Sequence, residues 1–197
     1  MTSAGPLPGP HAATPAGKPR ARSLGIPFTG RPGRWNAITD VPGIQVGYVT
    51  LIEGDSVRTG VTGILPRGAG SVIAIVATDA PLLPHQCSAL ARRVTHGIAR
   101  TGTISSHSSG DLFLAFSTAN PGGFSGYTPR PGTERDYDQL RFIPWAQMNP
   151  FFAAVVEATE EAVANALVAN EEMTGREGRR TPALPRDRVA ALFRAGR

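Results

Sequence analysis

Apolar positions repeat at two different periods along this chain, and the changes of period mark its elements. From residue 44 to 52, Ile44, Val46 and Tyr48 alternate with Gln45, Gly47 and Val49, behind the turn-forming Pro42-Gly43, which predicts a strand. Residues 57–65 read as a second strand closed by Pro66, and Gly54-Asp55 is placed to turn a hairpin between the two. The second strand's glycines mark a bulge or a close approach. The unbroken apolar run from Val72 to Ala77 predicts a strand covered on both faces, and residues 111–118 (DLFLAFST) predict another.

Between these two runs the period lengthens to that of a helix. Pro84 suits a first turn, Cys87, Leu90, Ala91, Val94 and Ile98 form the stripe, and Gly102 supplies the stop. A long helix is expected from Asn149, as a side-chain cap, through Pro150 to Gly175. Its stripe is Phe152, Val155, Val156, Val163, Ala166 and Leu167, with Glu160 and Glu161 off it. Pro185 opens a short last helix, with Asp187 in its first turn and Val189, Leu192 and Phe193 facing inward. Residues 121–144, dense in Gly, Pro and charge, read as surface loop. The sum is an α/β arrangement, a sheet with buried central strands and helices packed outside.

Composition changes this picture at one end. Residues 1–23 hold too little apolar surface to offset ordering, so they read as a disordered basic Pro/Gly-rich tail before a single domain at 24–197. Lys18, Arg20, Arg22, Arg31 and Arg34 precede the first acid, Asp40, and account for the whole net charge of +5. The rest of the chain is neutral, which argues against a nucleic-acid partner. No apolar run approaches the roughly 20 residues that span a bilayer, and no secretory core precedes Pro19. The single cysteine, Cys87, allows no internal disulfide, so a cytoplasmic setting is expected.

Few residues carry candidate chemistry. Ser105 to Asp111 (SSHSSGD) holds serine, histidine and acid, but a catalytic triad must converge in space, and neighbours along a strand point apart. A polar turn is the plainer reading. Thr78-Asp79 ends the buried strand, a common place for an α/β site, so these two are pocket candidates; Asp79 would equally serve a turn before Ala80-Pro81. His85 and His96 lack metal-ligand spacing, and no metal is expected. Cys87 lies on the apolar stripe as a packed side chain. The stretch from Arg67 to Gly70 lacks the lysine of a phosphate loop, and Trp35 and Trp145 are expected against the core edge.

Several blocks, in order, resemble the DmpA-type L-aminopeptidase/D-esterase family. They are RARSLGIPF (20–28), NAITDVPGIQVGY (36–48), VRTGVTGILPRG (57–68), SVIAIVATDAPLLPHQ (71–86), GIARTG (97–102), SGDLFLAFSTAN (109–120), MNPFFAAVVEATEEAVANAL (148–167), MTG (173–175) and ALPRDRV (183–189). The resemblance implies an αββα sandwich of the type shared with ornithine acetyltransferases. It implies a precursor that cuts itself before a serine or threonine, which then acts as an N-terminal nucleophile. It implies release of N-terminal residues from short peptides, amides and esters, without metal or organic cofactor. The chain departs from the family pattern at one place. Residues 24–68 resemble the start of the first subunit and 71–197 most of the second, and only Ala69 and Gly70 lie between. The family's segment for the substrate-amine acid, the oxyanion asparagine and the nucleophile has no counterpart. A deletion, a misread gene or a degenerate paralogue would each give this junction. The expectation is an incomplete sandwich, with no catalytic residue assigned. It would be impaired as a hydrolase, or be a non-catalytic interaction or regulatory subunit, self-associating or bound to an intact family member. Short peptides or amino-acid amides and esters would be its ligands if active.

Overall fold

A computed structural model describes residues 11–14, 16–42, 71–123 and 139–195, with Gly9, Ile44 and the strand segments 51–53 and 57–59. The predicted hairpin is present in part: β1 (Leu51–Glu53) pairs antiparallel with β2 (Val57–Thr59). The Gly54-Asp55 turn, residues 45–50 and 60–65 of the predicted strands and the junction at Ala69 and Gly70 lie outside the described residues.

The frame is a β–α–β unit. β3 (Ile73–Thr78) and β4 (Leu112–Ser117) run parallel in register from Ile73 beside Leu112 to Thr78 beside Ser117. Parallel neighbours need a crossover, and α1 (Pro84–Arg100) supplies it. Pro84 occupies the first turn as predicted, and Gly102 follows the helix at φ 95°, a conformation that glycine adopts without steric cost. α2 (Asn149–Ala169) lies against α1. The core is one cluster of Val72, Leu82, Cys87, Leu90, Val94, Ile98, Met148 and Val155, with Ala74, Val76, Phe113 and Ala115 of the sheet packed on it.

Both strands therefore cover one face with helices. The other face is open: Ile73, Ile75, Leu112 and Leu114 are 53–65 % exposed. The expectation of a strand buried on both faces fails here: helices cover one side, while on the other these four side chains stay largely open and the strand end is approached where Thr118 Oγ1 lies 3.4 Å from Pro42 O. Apolar runs report a demand for cover and cannot report whether it is met.

Other differences are local. Asn149 is the first residue of α2 and makes no capping bond, and the helix stops at Ala169, short of Gly175. Its last carbonyls are taken by Arg186, which donates from Nε to Val168 O (2.7 Å) and from Nη2 to Asn170 O (3.0 Å). A helix end satisfied by a distant side chain leaves no stop signal of its own in sequence. Beyond it, β5 (Met173–Thr174) pairs antiparallel with β6 (Arg180–Thr181), and α3 (Arg186–Ala195) follows. Leu192, expected inward, is 74 % exposed.

Residues read as the end of a loose tail make defined contacts. Ala13 bridges to Pro19, and residues 21–24 form a 3-10 turn with Ala21 fully buried. Ala21 N–H donates to Asn165 Oδ1 of α2 (2.8 Å). Arg22 donates from Nε and Nη2 to the two carboxylate oxygens of Glu161 (2.8 and 2.7 Å) and from Nη2 to Gly30 O (2.7 Å). Asn36, at φ 50°, adds a bond from Nδ2 to the same carboxylate (2.8 Å). Glu161, assigned to the solvent side by periodicity, is thus buried, because its charge is matched by a fork of guanidinium donors.

Candidate functional site

The carboxyl ends of β3 and β4 bring the sequence candidates Thr78 and Asp79 beside Ser117, Thr118 and Asn120. The geometry there is that of a braced corner. Thr118 N–H donates to Thr78 O (2.9 Å), and Ala80 N–H donates to Thr78 Oγ1 (3.1 Å). Ser117 Oγ donates to Ala80 O (2.6 Å) and accepts from Ala119 N–H (3.2 Å). Thr118 Oγ1 lies 3.4 Å from Pro42 O, which ties the block at residues 36–48 to this strand end. Asn120 exchanges two bonds with the Arg141 backbone (3.0 Å each).

Each hydroxyl at this corner is thus engaged with main-chain groups. A nucleophilic hydroxyl needs a base within hydrogen-bond reach. Among the described residues no such bond joins these hydroxyls to a histidine or carboxylate. Asp79 differs from its neighbours: it is exposed, and among the described residues its side chain has no partner.

The remaining candidates are dispersed. The serine-rich stretch is a local turn: Ser106 and Ser108 hydroxyls are 3.1 Å apart, and Ser109 Oγ donates to Asp111 Oδ1 (2.7 Å). Asp111 also accepts from Val72 N–H (2.9 Å), so this acid registers β4 against β3. His107 is exposed at the turn. His85 stacks on Trp145 with ring centroids 5.7 Å apart, and Trp145 meets the edge of Phe152 at 6.3 Å. Trp145 remains 54 % exposed. No group of three potential metal ligands occurs among the described residues. Burial pushes the Cys87 thiol above its ordinary value, against a smaller opposing backbone hydrogen bond, which disfavours the thiolate a nucleophile requires. No described helix is long and apolar enough to cross a membrane.

An open cleft of about 660 Å³ lies elsewhere, lined by Ser88, Arg92, Arg93, His96 and Phe113 among others, and includes none of the strand-end residues. The corner, by contrast, is built from residues of the family-like blocks. Sequence reasoning missed one residue that shapes it: Gln86 accepts from Leu83 N–H (2.9 Å) and donates to Ile143 O (2.7 Å). That pair holds the helix start against the extended segment at Ile143. A glutamine three residues past the loop was its only signal.

Comparison with known proteins places these features in context. The model of Peptidase family S58 matches residues 36–69 and 68–181, two blocks that meet at Gly68-Ala69. The beta-peptidyl aminopeptidase BapA of Sphingosinicella xenopeptidilytica is 38 % identical over 130 residues, 66 % of this chain and 31 % of that protein. The crystal structure of the l-aminopeptidase d-ala-esterase/amidase of Ochrobactrum anthropi, described as a new variant among the Ntn hydrolase fold, is 36 % identical with a TM-score of 0.54, over 64 % of this chain and 34 % of that one. A Burkholderia beta-aminopeptidase is 40 % identical with a TM-score of 0.53, over 64 % of this chain and 35 % of that one. The chain thus spans about a third of the length of the relatives it matches.

Proposed function

This chain belongs to peptidase family S58, and from that premise we propose that it is a non-hydrolysing member, an aminopeptidase scaffold of the cytoplasm without the self-processing nucleophile. The observation that carries this reading is the meeting of the two family blocks at Gly68-Ala69, with a matched region that spans about a third of the relatives' length. The strand-end geometry agrees with it. Ser117, Thr118 and Thr78 spend their hydroxyls on backbone groups, so none is held ready for proton transfer.

The expected result is simple. Purified protein incubated with L-amino-acid or β-amino-acid p-nitroanilides releases p-nitroaniline at the rate of the buffer blank. On a denaturing gel it stays one band on standing. Turnover well above the blank, or a split into two subunits, would sink the reading.

Within this scaffold Thr78 and Asp79 are the proposed remnant of a substrate pocket. Thr78 shapes the turn through Ala80 N–H, and Asp79 offers a free carboxylate at the strand end to the ammonium of an amino-acid amide. Such a contact, exposed and single, is weak, worth about 1 kcal/mol or less. NMR titration with an L-amino-acid amide is expected to shift the Asp79 and Thr118 amide signals, and the Asp79→Asn variant to lose that response. Identical shifts in both proteins would remove Asp79 from the pocket.

A second reading rests on the open face of β3 and β4. Four large aliphatic side chains exposed on one surface suit an association role. A silent S58 member would then act as a binding subunit.

A further inference from the structure

The association reading gains a definite partner from the sheet itself, and the inference below rests on that reading. In the parallel register Ile73 stands beside Leu112 and Ile75 beside Leu114, so the four side chains form one continuous patch. Side chains alternate along a strand, so the next pair on this face, Ala77 beside Phe116, is apolar as well. Between Ile73 and Ala77 of β3 and between Leu112 and Phe116 of β4 the face carries no charge and no side-chain hydrogen-bonding group. Native sheets discourage adventitious pairing with inward charges, prolines or bulges, and β3 and β4 show none of these on this face.

Size decides what can cover it. At 53–65 % exposure each of the four residues leaves roughly 100 Å² to solvent, a patch of about 400 Å². Two such patches, with the Ala77–Phe116 row, bury on the order of 1,000 Å² when they meet, the lower edge of stable interfaces. A charged or strongly curved partner would leave unpaired polar groups against this surface. A flat apolar sheet of equal width would not, and a second copy of the chain offers one.

We propose that this protein dimerises through the open faces of β3 and β4, sheet against sheet about 10 Å apart, around a two-fold axis. Helices α1 and α2 already lie on the outer side of each sheet. The dimer thus has helix, sheet, sheet and helix layers, with the two open faces closed on each other.

Sedimentation velocity and light scattering across about 1 to 200 µM test this, a range set by the modest buried area. The wild-type mass is expected to rise from one chain to two and stop there. Ile75→Lys and Leu114→Glu, both at solvent-facing positions, are expected to keep the far-UV circular dichroism of the wild type. Each is expected to weaken the dimer at least tenfold. A wild-type monomer at every concentration overturns the proposal. So does growth beyond the dimer, or a dimer that survives both substitutions. Because the wild-type mass is itself decisive, poor folding of either variant does not shelter the idea. Hydrolytic activity is read independently, so failure here is distinct from failure of the silent-enzyme reading.

Discussion

Arg22→Ala is expected to cost about 3 kcal/mol of stability at neutral pH, the scale seen when one partner of a buried ion pair is removed. For a chain of this size that is a fall in the thermal midpoint of roughly 6–12 °C. Glu161 keeps 9 % side-chain exposure and Arg22 23 %, so water recovers little of the lost interaction. The substitution also frees Gly30 O and unlatches the 3-10 turn at 21–24 from α2. Limited proteolysis is therefore expected to cut near residues 20–30 sooner than in the wild type. Glu161→Gln keeps an acceptor for one guanidinium bond and should lose less. An Arg22→Ala protein that melts with the wild type would show that the fork contributes nothing.

The same pair fixes a pH signature. Burial alone pushes the Glu161 carboxyl up, but hydrogen bonds from Arg22 and Asn36 and the charges of Arg22 and Arg20 outweigh it, so the net shift is downward. Arg22 moves the other way, raised mainly by its bond to Glu161, and stays charged throughout. A carboxyl depressed by folding contributes stability that is fully present above its unfolded value, about pH 4.3, and is lost as pH falls through the folded value. The gap between wild type and Arg22→Ala is therefore widest near neutrality and closes in acid below about pH 4.

How much of this was legible in the sequence follows from what each signal reports. The β3–α1–β4 unit was readable because apolar runs and a 3.6-residue stripe report on local partners. Family membership was readable because the colinear blocks keep their order even with the middle missing. The position of Glu161 was not, since periodicity assigns charge to solvent and cannot foresee a guanidinium arriving from residue 22. The open sheet face was not either. Ile73 and Val76 are equally apolar, yet only the second has a helix over it. At the candidate corner, position was legible for Thr78 and Asp79, but the bracing by Ser117 depends on strand register, which one sequence does not encode residue by residue.

Gly97 carries the second large effect, through the approach of α1 to α2. A Cβ placed there would sit 2.5 Å from Thr159 Cβ and 2.6 Å from Val156 O. The second contact is with helix backbone, which cannot rotate away, so the two helices must separate. Leu90, Val94 and Ile98 share that interface with Val155, and separation loosens all of them together. Two forces oppose each other at this position. Alanine favours a helix interior over glycine by about 1 kcal/mol, whereas overpacking a tight interface costs about 1–3 kcal/mol. Gly97→Ala is therefore expected to lose about 1–2 kcal/mol net, and Gly97→Val, larger and stiff at χ1, about 3 kcal/mol or more. Urea unfolding is expected to show a lower midpoint in both, in that order, with the slope unchanged. A Gly97→Ala protein more stable than the wild type would mean that helix propensity alone governs the site, and that α1 and α2 do not meet this closely in solution.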